Sequence, residues 1–317
     1  MITTIGNVVS EAAAILKGGD VCAIPTETVY GLAVNALDPT AVAKIFEAKN
    51  RPFFDPLIVH LPDIQRVRKY VSDFPAWALK LSEAFMPGAL TLVLPKKSII
   101  PDIVTSGLNT VAVRIPNHPL TLELLHQLDF PLAAPSANPF GYVSPTSAQH
   151  VFAQLGGKIP YILDGGRCNI GIESTIIGEI DGKPTILRLG GITVEEIREV
   201  IPDFIIASST EPTTNYPGGL AHHYSPKNKL VFGNMNFVGQ DLSKVGVISF
   251  RDKYPLVSEA NQIVLSASGD LREAAQNIFS AMRLLDRSEI KVVFAERFPN
   301  EGLGRAINDR LRRASSR

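Results

Sequence analysis

Alternating helix and strand patterns over the first 200 residues constrain the fold of this 317-residue chain most strongly. The apolar run at 21–24 is typical of a short buried strand, and residues 39–49 carry apolar side chains at helical spacing. Further strand patterns follow at 90–95, at 110–116 and in PLAAPSAN. Ser10 is a candidate cap for a helix through Lys17, and Thr193 with Glu196 forms a capping box before a later helix. Chains that alternate in this way fold as α/β domains, in which helices cover a β-sheet.

Residues 207–228 interrupt this alternation. The segment is rich in Ser, Thr, Pro and Gly and shows no apolar period, a composition typical of a linker or a long functional loop. Strand patterns reappear at 229–232 and 245–249. We therefore predict a large domain at 1–206, a linker or lid at 207–228 and a smaller α/β domain at 229–317.

Composition and charge exclude several classes of protein. Hydrophobic residues make up 45% of the chain, as in globular proteins, and no apolar run approaches the 18 residues of a membrane-spanning helix. The 31 basic and 31 acidic residues cancel, so no global charge favours nucleic acids or anionic membranes. Cys22 and Cys168 are too few for a disulfide scaffold or a four-cysteine zinc site, and we expect both to be buried. Without signal-peptide features, a cytoplasmic protein with no membrane partner is expected.

Common catalytic and nucleotide-binding motifs are missing. The chain has no GxxxxGK[ST], no GxGxxG after a strand, no HExxH, no CxxC and no GxSxG. His222 and His223 are adjacent, so their side chains diverge on regular backbone, and no nearby Cys or carboxylate completes a ligand set. We therefore expect no metal site formed directly by a side-chain cluster, and any nucleotide pocket must be of an uncommon kind.

Six short polar clusters follow apolar strands or helices, where open α/β sheets place ligand sites. They are PTETVYG at 25–31, KNRPFFDP at 49–56, Thr110 with Arg114, PSANPFGYVSPT at 135–146, ESTI at 173–176 and Arg188. Lys49, Arg51, Arg114 and Arg188 supply cations among hydroxyl and amide groups, a combination that suits a polyanion. No nucleophile is paired with a base, so positioning and charge neutralisation would be the main catalytic devices.

Each of these residues also has an ordinary structural interpretation. Lys49 and Arg51 could interact with a helix C-terminus, and Arg114 could form a structural ion pair. The hydroxyl and amide side chains could satisfy turns, continue strands, pack loops or begin a helix. This second group comprises Thr28, Tyr30, Ser136, Asn138, Ser144, Ser174 and Thr175.

Taken together, the blocks resemble the YrdC-like family of threonylcarbamoyl-AMP synthases. The family motif KxR…SxN reads here as Lys49-Asn50-Arg51 and Ser136-Ala137-Asn138, and the resemblance covers residues 8 to about 200. The flanking blocks IPTETVYGL, TVAVRIPNHP and GIESTII also match. The remainder is similar to the two-domain form of the enzyme, in which a linker ending in HYxP, here His223-Tyr224-Ser225-Pro226, precedes a small Rossmann-like domain.

The resemblance implies a fold, a reaction and partners. The large domain would be a twisted, mostly parallel, open α/β sheet with a concave basic face. The reaction would convert L-threonine, bicarbonate and ATP, accompanied by Mg²⁺, into threonylcarbamoyl-AMP and pyrophosphate. The product would feed the N6-threonylcarbamoyl modification of adenosine 37 in tRNA, with a TsaD- or Kae-type transferase as the downstream partner.

The resemblance also implies a role for individual residues. The threonine and carbamate pocket would contain Thr28, His60, Arg114, the backbone around Ala134 and Ser174. The ATP pocket would contain Arg51, Asp55, Thr110, Ser136, Asn138, Ser144 and Arg188, and linker contacts would come from His222, His223 or Tyr224. Lys49, against the phosphates, and Arg51 would be catalytic. Family members often carry Asn at the position of Asp55, and an acidic residue near phosphates needs Mg²⁺ or an Arg partner.

Two other functions remain open from the sequence. A double-stranded RNA- or tRNA-binding module could use the basic C-terminal residues, which are otherwise typical of a solvated helix face. These residues are Arg305, Arg310, Arg312, Arg313 and Arg317. A related carbamoyl-transfer enzyme is the other alternative, but the hydrogenase-maturation proteins of that kind carry acylphosphatase and zinc-finger segments that this chain lacks.

Overall fold

The structure, a computed structural model, describes residues 1–207, 216–217 and 224–316. Over those residues the strands form two β-sheets. The larger sheet contains β1 (Thr4–Gly6), β2 (Cys22–Ile24), β3 (Gly31–Asn35), β4 (Ile58–His60), β5 (Leu90–Pro95), β6 (Thr110–Arg114), β7 (Leu132–Ala133), β8 (Tyr161–Leu163), β9 (Thr175–Ile180), β10 (Lys183–Arg188) and β11 (Ile205–Ile206). The smaller sheet contains β12 (Lys229–Phe232), β13 (Val245–Ser249), β14 (Gln262–Val264) and β15 (Val292–Ala295).

Helices alternate with these strands, as the sequence predicts. They are α1 (Val9–Lys17), α2 (Pro39–Lys49), α3 (Ile64–Tyr70), α4 (Ala76–Phe85), α5 (Asp102–Thr105), α6 (Pro119–His126), α7 (Ala148–Leu155), α8 (Val194–Val200), α9 (Leu271–Leu285) and α10 (Gly302–Ala314). The predicted bounds of α2 are confirmed, because the Asp38 carboxylate accepts from two backbone N–H groups at its start and Pro39 occupies the first turn. The predicted capping box of Thr193 and Glu196 begins α8.

Several elements differ from the sequence-based expectation. Ser10 does not cap α1, because the helix begins at Val9 and the residue before it makes no side-chain cap. The strand expected in PLAAPSAN is reduced to the two residues of β7, since prolines flank it and cannot donate to a ladder. Strands β1, β3 and β11 and helices α5 and α7 were not predicted, and all five are segments of two to eight residues.

The larger sheet is open and mixed. Its strand order over the described residues is β1-β8-β2-β3-β7-β4-β6-β5-β9-β10-β11, with β1 and β11 at the edges. Five of the neighbouring pairs described are parallel and five antiparallel, so the expectation of a mostly parallel sheet is wrong. Direct chain reversals cause this mixture, and the shortest is the turn of Asp181 and Gly182 between β9 and β10. Their φ values of 50° and 75° suit a two-residue hairpin.

The smaller sheet has the order β12-β15-β13-β14, and each of its described pairings is parallel. Helices α9 and α10 pack on each other and bury Phe279 and Leu311 completely. A parallel sheet with crossover helices is the Rossmann-like arrangement expected here. In the sequence, the strands of the larger sheet precede residues 207–228 and those of the smaller sheet follow them. The domain boundary at that segment stays a prediction, because most of the segment falls outside the described residues.

The central strands of the larger sheet divide their side chains between an apolar core and a polar face. Successive residues of a strand point to opposite faces. Val59 of β4 and Val113 of β6 are fully buried in the main core. Their neighbours His60 and Arg114, which pair in register, therefore point to the opposite face. The large domain thus presents charged side chains from the middle of its sheet.

The small domain packs against this polar side of the large domain. Val29, Val143 and Ile172 belong to the same buried apolar cluster as Ile278 and Phe279 of α9. The first three residues lie within, or directly beside, the polar blocks found in the sequence. The small domain therefore supports the loops from which those blocks are built.

The main core can be tested at Leu92 of β5, which is fully buried. Leu92→Ala should lower the free energy of unfolding by about 2–5 kcal/mol, because it removes buried methyl groups and leaves a cavity. Urea denaturation followed by circular dichroism measures this loss. Ile180→Ala is a matched control on β9, where Ile180 is 46% exposed, and it should change stability by at most about 0.5 kcal/mol. Equal losses in the two variants would contradict the burial of Leu92.

Candidate active site

A cavity of about 60 Å³ lies on the polar face of the larger sheet. Many of the predicted site residues line it, namely Arg51, His60, Arg114, Ala134, Ser136, Ser174, Arg188 and Tyr224. The other lining residues are Thr26, Val29, Gly31, Pro56, Ile58, Pro135, Glu173 and Pro217. Polar blocks that are far apart in the sequence thus converge on one site.

Lys49 joins the two halves of the KxR…SxN motif from behind the cavity. It is the last residue of α2, and its side chain is buried. Its Nζ donates hydrogen bonds to the backbone oxygens of Ser136 and Asn138, both at 2.5 Å. Burial and the neighbouring Arg51 lower the pKa of Lys49 well below its usual value. Lys49 therefore holds the SxN backbone, and the structure does not place its ammonium on the cavity wall.

Arg51 reaches the cavity because the chain turns sharply at Asn50, whose φ of 50° is left-handed. The Arg51 guanidinium donates to the backbone oxygens of Asp55 and Pro56 at 3.2 and 3.0 Å. It also pairs with the Asp55 carboxylate at 2.8 Å. Burial lowers the pKa of Arg51, and Asp55 opposes that shift. Asp55 thus has the Arg partner that an acidic residue near phosphates needs.

Arg114 and His60 stand side by side at the ends of β6 and β4. Arg114 forms a buried ion pair with Glu27 at 2.8 Å and donates to the Gly88 backbone oxygen at 3.3 Å. The structural ion pair considered for Arg114 is therefore present, and the same guanidinium also lines the cavity. Burial, reinforced by Arg114, lowers the pKa of His60 to about 3. The imidazole is consequently neutral at physiological pH.

Ser174 and Arg188 form a second polar wall where β9 begins and β10 ends. Arg188 donates through Nε and a terminal nitrogen to the Ser174 backbone oxygen, at 3.1 and 2.9 Å, and to the Ser174 hydroxyl at 3.1 Å. The Ser174 hydroxyl also lies 2.7 Å from that of Thr91. Burial lowers the pKa of Arg188. Ser174 is therefore more than an ordinary strand residue, because it fixes a cation of the site.

Ser144 lies behind this wall, in contact with a carboxylate. Its hydroxyl donates to Glu173 at 2.6 Å, and the other Glu173 oxygen accepts from Arg310 of α10 at 2.8 Å. Burial alone would raise the pKa of Glu173, but Arg310, Arg188 and the Ser144 hydrogen bond lower it to about 2. Arg310 is fully buried, so its interpretation as part of a solvated or RNA-facing surface is wrong. Arg317 of the same basic stretch lies outside the described residues.

Glu27 and Glu173 were not predicted as parts of the site. Both are buried, and each pairs with an arginine. A signal was present, since each is the single charged residue in its block, PTETVYG or GIESTII. A lone carboxylate in a polar block beside several predicted cations indicates a buried counter-charge.

Besides Lys49, Asp55 and Ser144, three further predicted residues do not line the cavity. Thr28 is buried with its hydroxyl 2.8 Å from that of Thr26. The Asn138 amide donates to two nearby backbone oxygens, in agreement with its interpretation as a turn residue. Thr110 begins β6, about 13 Å along the strand from Arg114 at 3.3 Å per residue. Their roles toward substrates stay predictions.

The predicted linker contributes two described residues to the wall, Pro217 and Tyr224. Tyr224 is fully buried and stacks on Phe279 of α9 with ring centroids 5.4 Å apart. Burial raises its pKa to about 12. His222 and His223, the other predicted linker contacts, lie outside the described residues.

Clusters of metal ligands, membrane-spanning helices and reactive thiols are absent from residues 1–207, 216–217 and 224–316. Those residues include no group of three or more His, Cys, Asp or Glu able to hold a metal ion. None of their helices has the length and apolar character needed to span a bilayer. Cys22 and Cys168 are buried free thiols, and burial raises the pKa of both to about 12, so they act as small buried hydrophobes as predicted.

Comparisons with known proteins agree with this fold. One family model, described as "Telomere recombination" and named for Sua5, YciO and YrdC, matches residues 14–190. A second, described as "Threonylcarbamoyl-AMP synthase, C-terminal domain", matches residues 192–316. The chain is accordingly an enzyme of the nucleotidyltransferase type. It belongs to the Sua5/YrdC family of threonylcarbamoyl-AMP synthases.

Individual relatives show how far the similarity extends. A threonylcarbamoyl-AMP synthase of Pyrococcus abyssi is 40% identical over 316 residues, which is 96% of this chain and 93% of that protein. The crystal structure of P. abyssi Sua5 complexed with L-threonine matches with a TM-score of 0.89 at 38% identity, over 99% of this chain and 97% of that one. A shorter threonylcarbamoyl-AMP synthase of Enterobacter sp. is 32% identical, and 93% of its length corresponds to 54% of this chain.

His60 provides a test of the buried electrostatics. Its pKa of about 3 lies below the usual value of 6.5, so the folded state binds fewer protons than the unfolded state between those pH values. The free energy of unfolding therefore falls as the pH falls through this window. In urea unfolding at pH 7 and pH 5, His60→Gln should reduce this dependence by up to about 1.4 kcal/mol per pH unit.

The matched control is His126→Gln, because His126 is exposed at the end of α6. This variant should keep the wild-type dependence of stability on pH. An unchanged dependence in His60→Gln as well would contradict a buried, neutral imidazole.

Proposed function

We propose that the protein converts L-threonine, bicarbonate and ATP into threonylcarbamoyl-AMP and pyrophosphate. The observation that carries the proposal is the convergence of Arg51, Arg114 and Arg188 on one cavity, since fixed guanidinium groups suit carboxylate, carbamate and phosphate. The L-threonine bound to P. abyssi Sua5 supports the choice of amino acid. Similarity to synthases over both domains favours this reaction over the carbamoyl-transfer and RNA-binding alternatives.

The proposed reaction has two bond-forming steps. The amine of threonine adds to bicarbonate with loss of water, and the product is a carbamate. A carbamate oxygen then bonds to the α-phosphorus of ATP while the bond from that phosphorus to the bridging oxygen breaks. The electron pair leaves with pyrophosphate. Neither step needs a protein nucleophile, so the site has to align the reactants and compensate their charge.

Charge compensation is the larger requirement, because both reacting groups are anionic. Two unit charges at about 4 Å repel by roughly 4 kcal/mol at an effective dielectric of 20. We assign Arg114, beside neutral His60, to the threonine carboxylate and carbamate, together with Ser174 and the Ala134 backbone. We assign Arg51 and Arg188 to the ATP phosphates. A neutral imidazole can accept or donate a hydrogen bond there without adding a charge.

Lys49 has a different part in this proposal. Its hydrogen bonds to Ser136 and Asn138 fix the SxN loop, and Ser136 lines the cavity. Lys49 is therefore a positioning residue in the unliganded arrangement. By these hydrogen bonds Lys49 holds Ser136 at the cavity wall, where Ser136 would contact ATP.

Mg²⁺ enters the proposal as part of the substrate, bound to ATP. Glu173, which lines the cavity, and Glu27 and Asp55, which pair with lining residues, are each paired with an arginine. They are thus poor candidates for a resident metal site. Phosphate oxygens and water would supply the ligands of the ion, as is usual for Mg²⁺.

The size of the cavity implies a rearrangement when ATP binds. Its volume of about 60 Å³ is below the roughly 300–1,000 Å³ of pockets that hold drug-sized ligands. We propose that Pro217 and Tyr224, which line it, shift to admit ATP. Their return over the reactants would exclude water and protect the carbamate from decarboxylation.

The product is a mixed anhydride, which suits onward transfer of its threonylcarbamoyl group. We propose that it supplies the N6-threonylcarbamoyl modification of adenosine 37 in tRNA. A transferase of the TsaD or Kae class would consume it. The overall test is pyrophosphate release that depends on threonine, bicarbonate and ATP together, and release without threonine would contradict the proposal.

Arg51→Ala tests the ATP side of the site. The rate of pyrophosphate release should fall by about 10²–10³, the scale of removing one preorganised electrostatic group. Lys158→Ala is the control, because Lys158 is exposed after α7, and its rate should equal that of the wild type. A wild-type rate in Arg51→Ala would contradict the role of Arg51.

Arg114→Ala tests the threonine side. The KM for threonine should rise at least tenfold, because the anion loses its fixed cation, while the KM for ATP should change less. Steady-state rates at varied threonine and saturating ATP measure this difference. Circular dichroism should accompany them, since Glu27 loses its partner in this variant. An unchanged KM for threonine would contradict the assignment.

A further inference from the structure

Arg310 reaches the ATP side of the site from the other domain. It lies on α10 of the small domain, its side chain is completely buried, and it does not line the cavity. Its guanidinium donates to Glu173, to the adjacent Asp309 and to the Leu189 backbone oxygen, each at 2.8 Å. One face of it also covers the Tyr224 ring at 5.2 Å.

Two partners of Arg310 lie on the cavity wall or next to it, since Glu173 is itself a lining residue and Leu189 is the neighbour of one. Glu173 precedes Ser174, and Leu189 follows Arg188. Arg188 itself is held by the Ser174 backbone and hydroxyl oxygens. One guanidinium of the small domain therefore fastens both strands of the wall that carries Arg188.

A second arginine of the small domain acts on the same side. Arg283 of α9 donates to the backbone oxygens of Val143 and Ser144. The Ser144 hydroxyl meanwhile donates to Glu173, which Arg310 holds. Ser144 is thus fixed through its backbone by α9 and through its side chain by α10.

The geometry of this network requires an ionised Glu173. A carboxylate accepts from Ser144 with one oxygen and from Arg310 with the other, whereas a protonated carboxyl group carries a donor. The charged groups around Glu173 are Arg310 and Asp309 of α10 and Arg188 of β10, and Tyr224 also faces it. Without Arg310, burial would favour the protonated form, with Arg188 as the remaining cation.

We propose that Arg310 and Glu173 are positioning residues through which the small domain sets the geometry of the ATP-binding wall. Arg310 keeps Glu173 ionised, Glu173 orients Ser144, and the same contacts hold the strands that present Arg188. This inference rests on the proposed function for its assignment of that wall to ATP. Through Arg310, the small domain would thus contribute to the affinity of the site for nucleotide.

Arg310→Met is the central variant, because it removes the charge and keeps an unbranched apolar chain. The KM for ATP should rise about tenfold, the scale of losing an outer partner of a binding group, and the KM for threonine should change less than twofold. Arg305→Met is the matched control. Arg305 also lies on α10 and pairs across the domains with Glu195 at 2.5 Å, but both side chains are partly exposed. It should leave both KM values unchanged.

A pH profile separates positioning from simple domain docking. In Arg310→Met, kcat/KM for ATP should fall more steeply from pH 8 to pH 6 than in the wild type, because Glu173 takes up a proton. The double variant Arg310→Met with Glu173→Gln should lose this extra dependence. Equal pH profiles in the wild type and Arg310→Met would overturn the proposal, as would equal KM changes for ATP and threonine.

Other measurements decide the cases in which the central variant is uninformative. If Arg310→Met does not fold, Glu173→Gln keeps the shape of the side chain and should itself raise the KM for ATP, and an unchanged value would overturn the proposal. If the wild type releases no pyrophosphate, the proposed function fails. Calorimetric ATP affinity then decides this inference: tenfold weaker binding in Arg310→Met than in Arg305→Met supports it, and equal affinity or no binding by the wild type overturns it.

Discussion

The burial of cations is the constraint on which the rest of this structure depends. Arg51, Arg114 and Arg188 are all less than 9% exposed, and a buried charge without partners costs several kcal/mol. Each is therefore held by backbone oxygens, and the first two also pair with Asp55 and Glu27. These acceptors come from separate loops, so the hydrogen bonds that stabilise the cations also fix the loops around the cavity.

The same pairing explains how a chain of zero net charge contains a cationic cavity. The guanidinium groups of Arg51, Arg114 and Arg188 and the carboxylate of Glu173 line the wall, while Asp55 and Glu27 stand behind it. The cations on the wall outnumber the carboxylate, and the counter-charges behind the wall offset the cost of burying those cations. The donors are already oriented before the substrate arrives, so little reorganisation is needed as charge develops during reaction.

Local rules predicted most of the elements but missed several short ones, and the polar blocks contain most of the residues that line the cavity. Helix α2 was predictable because Asp38 and Pro39, two adjacent residues that favour a helix start, stand directly before its apolar side chains. The direction of the Lys49 side chain was not predictable, because its acceptors at Ser136 and Asn138 come from a loop distant in the sequence. The mixed sheet was missed for a related reason, since strand direction depends on which distant strands become neighbours.

Arg310 was misread from the sequence because a basic helix end usually faces solvent, and only the docking of α10 shows that it is buried. Its contacts lie on one side of the site, at Glu173 and Leu189, whereas Arg114 is held within the large domain by Glu27 and Gly88. The Enterobacter relative is too short to contain both domains. That relative thus corresponds in length to little more than the large domain of this chain. In this chain the small domain reaches the cavity wall through Arg310, whereas Arg51 and Arg114 pair with carboxylates of the large domain.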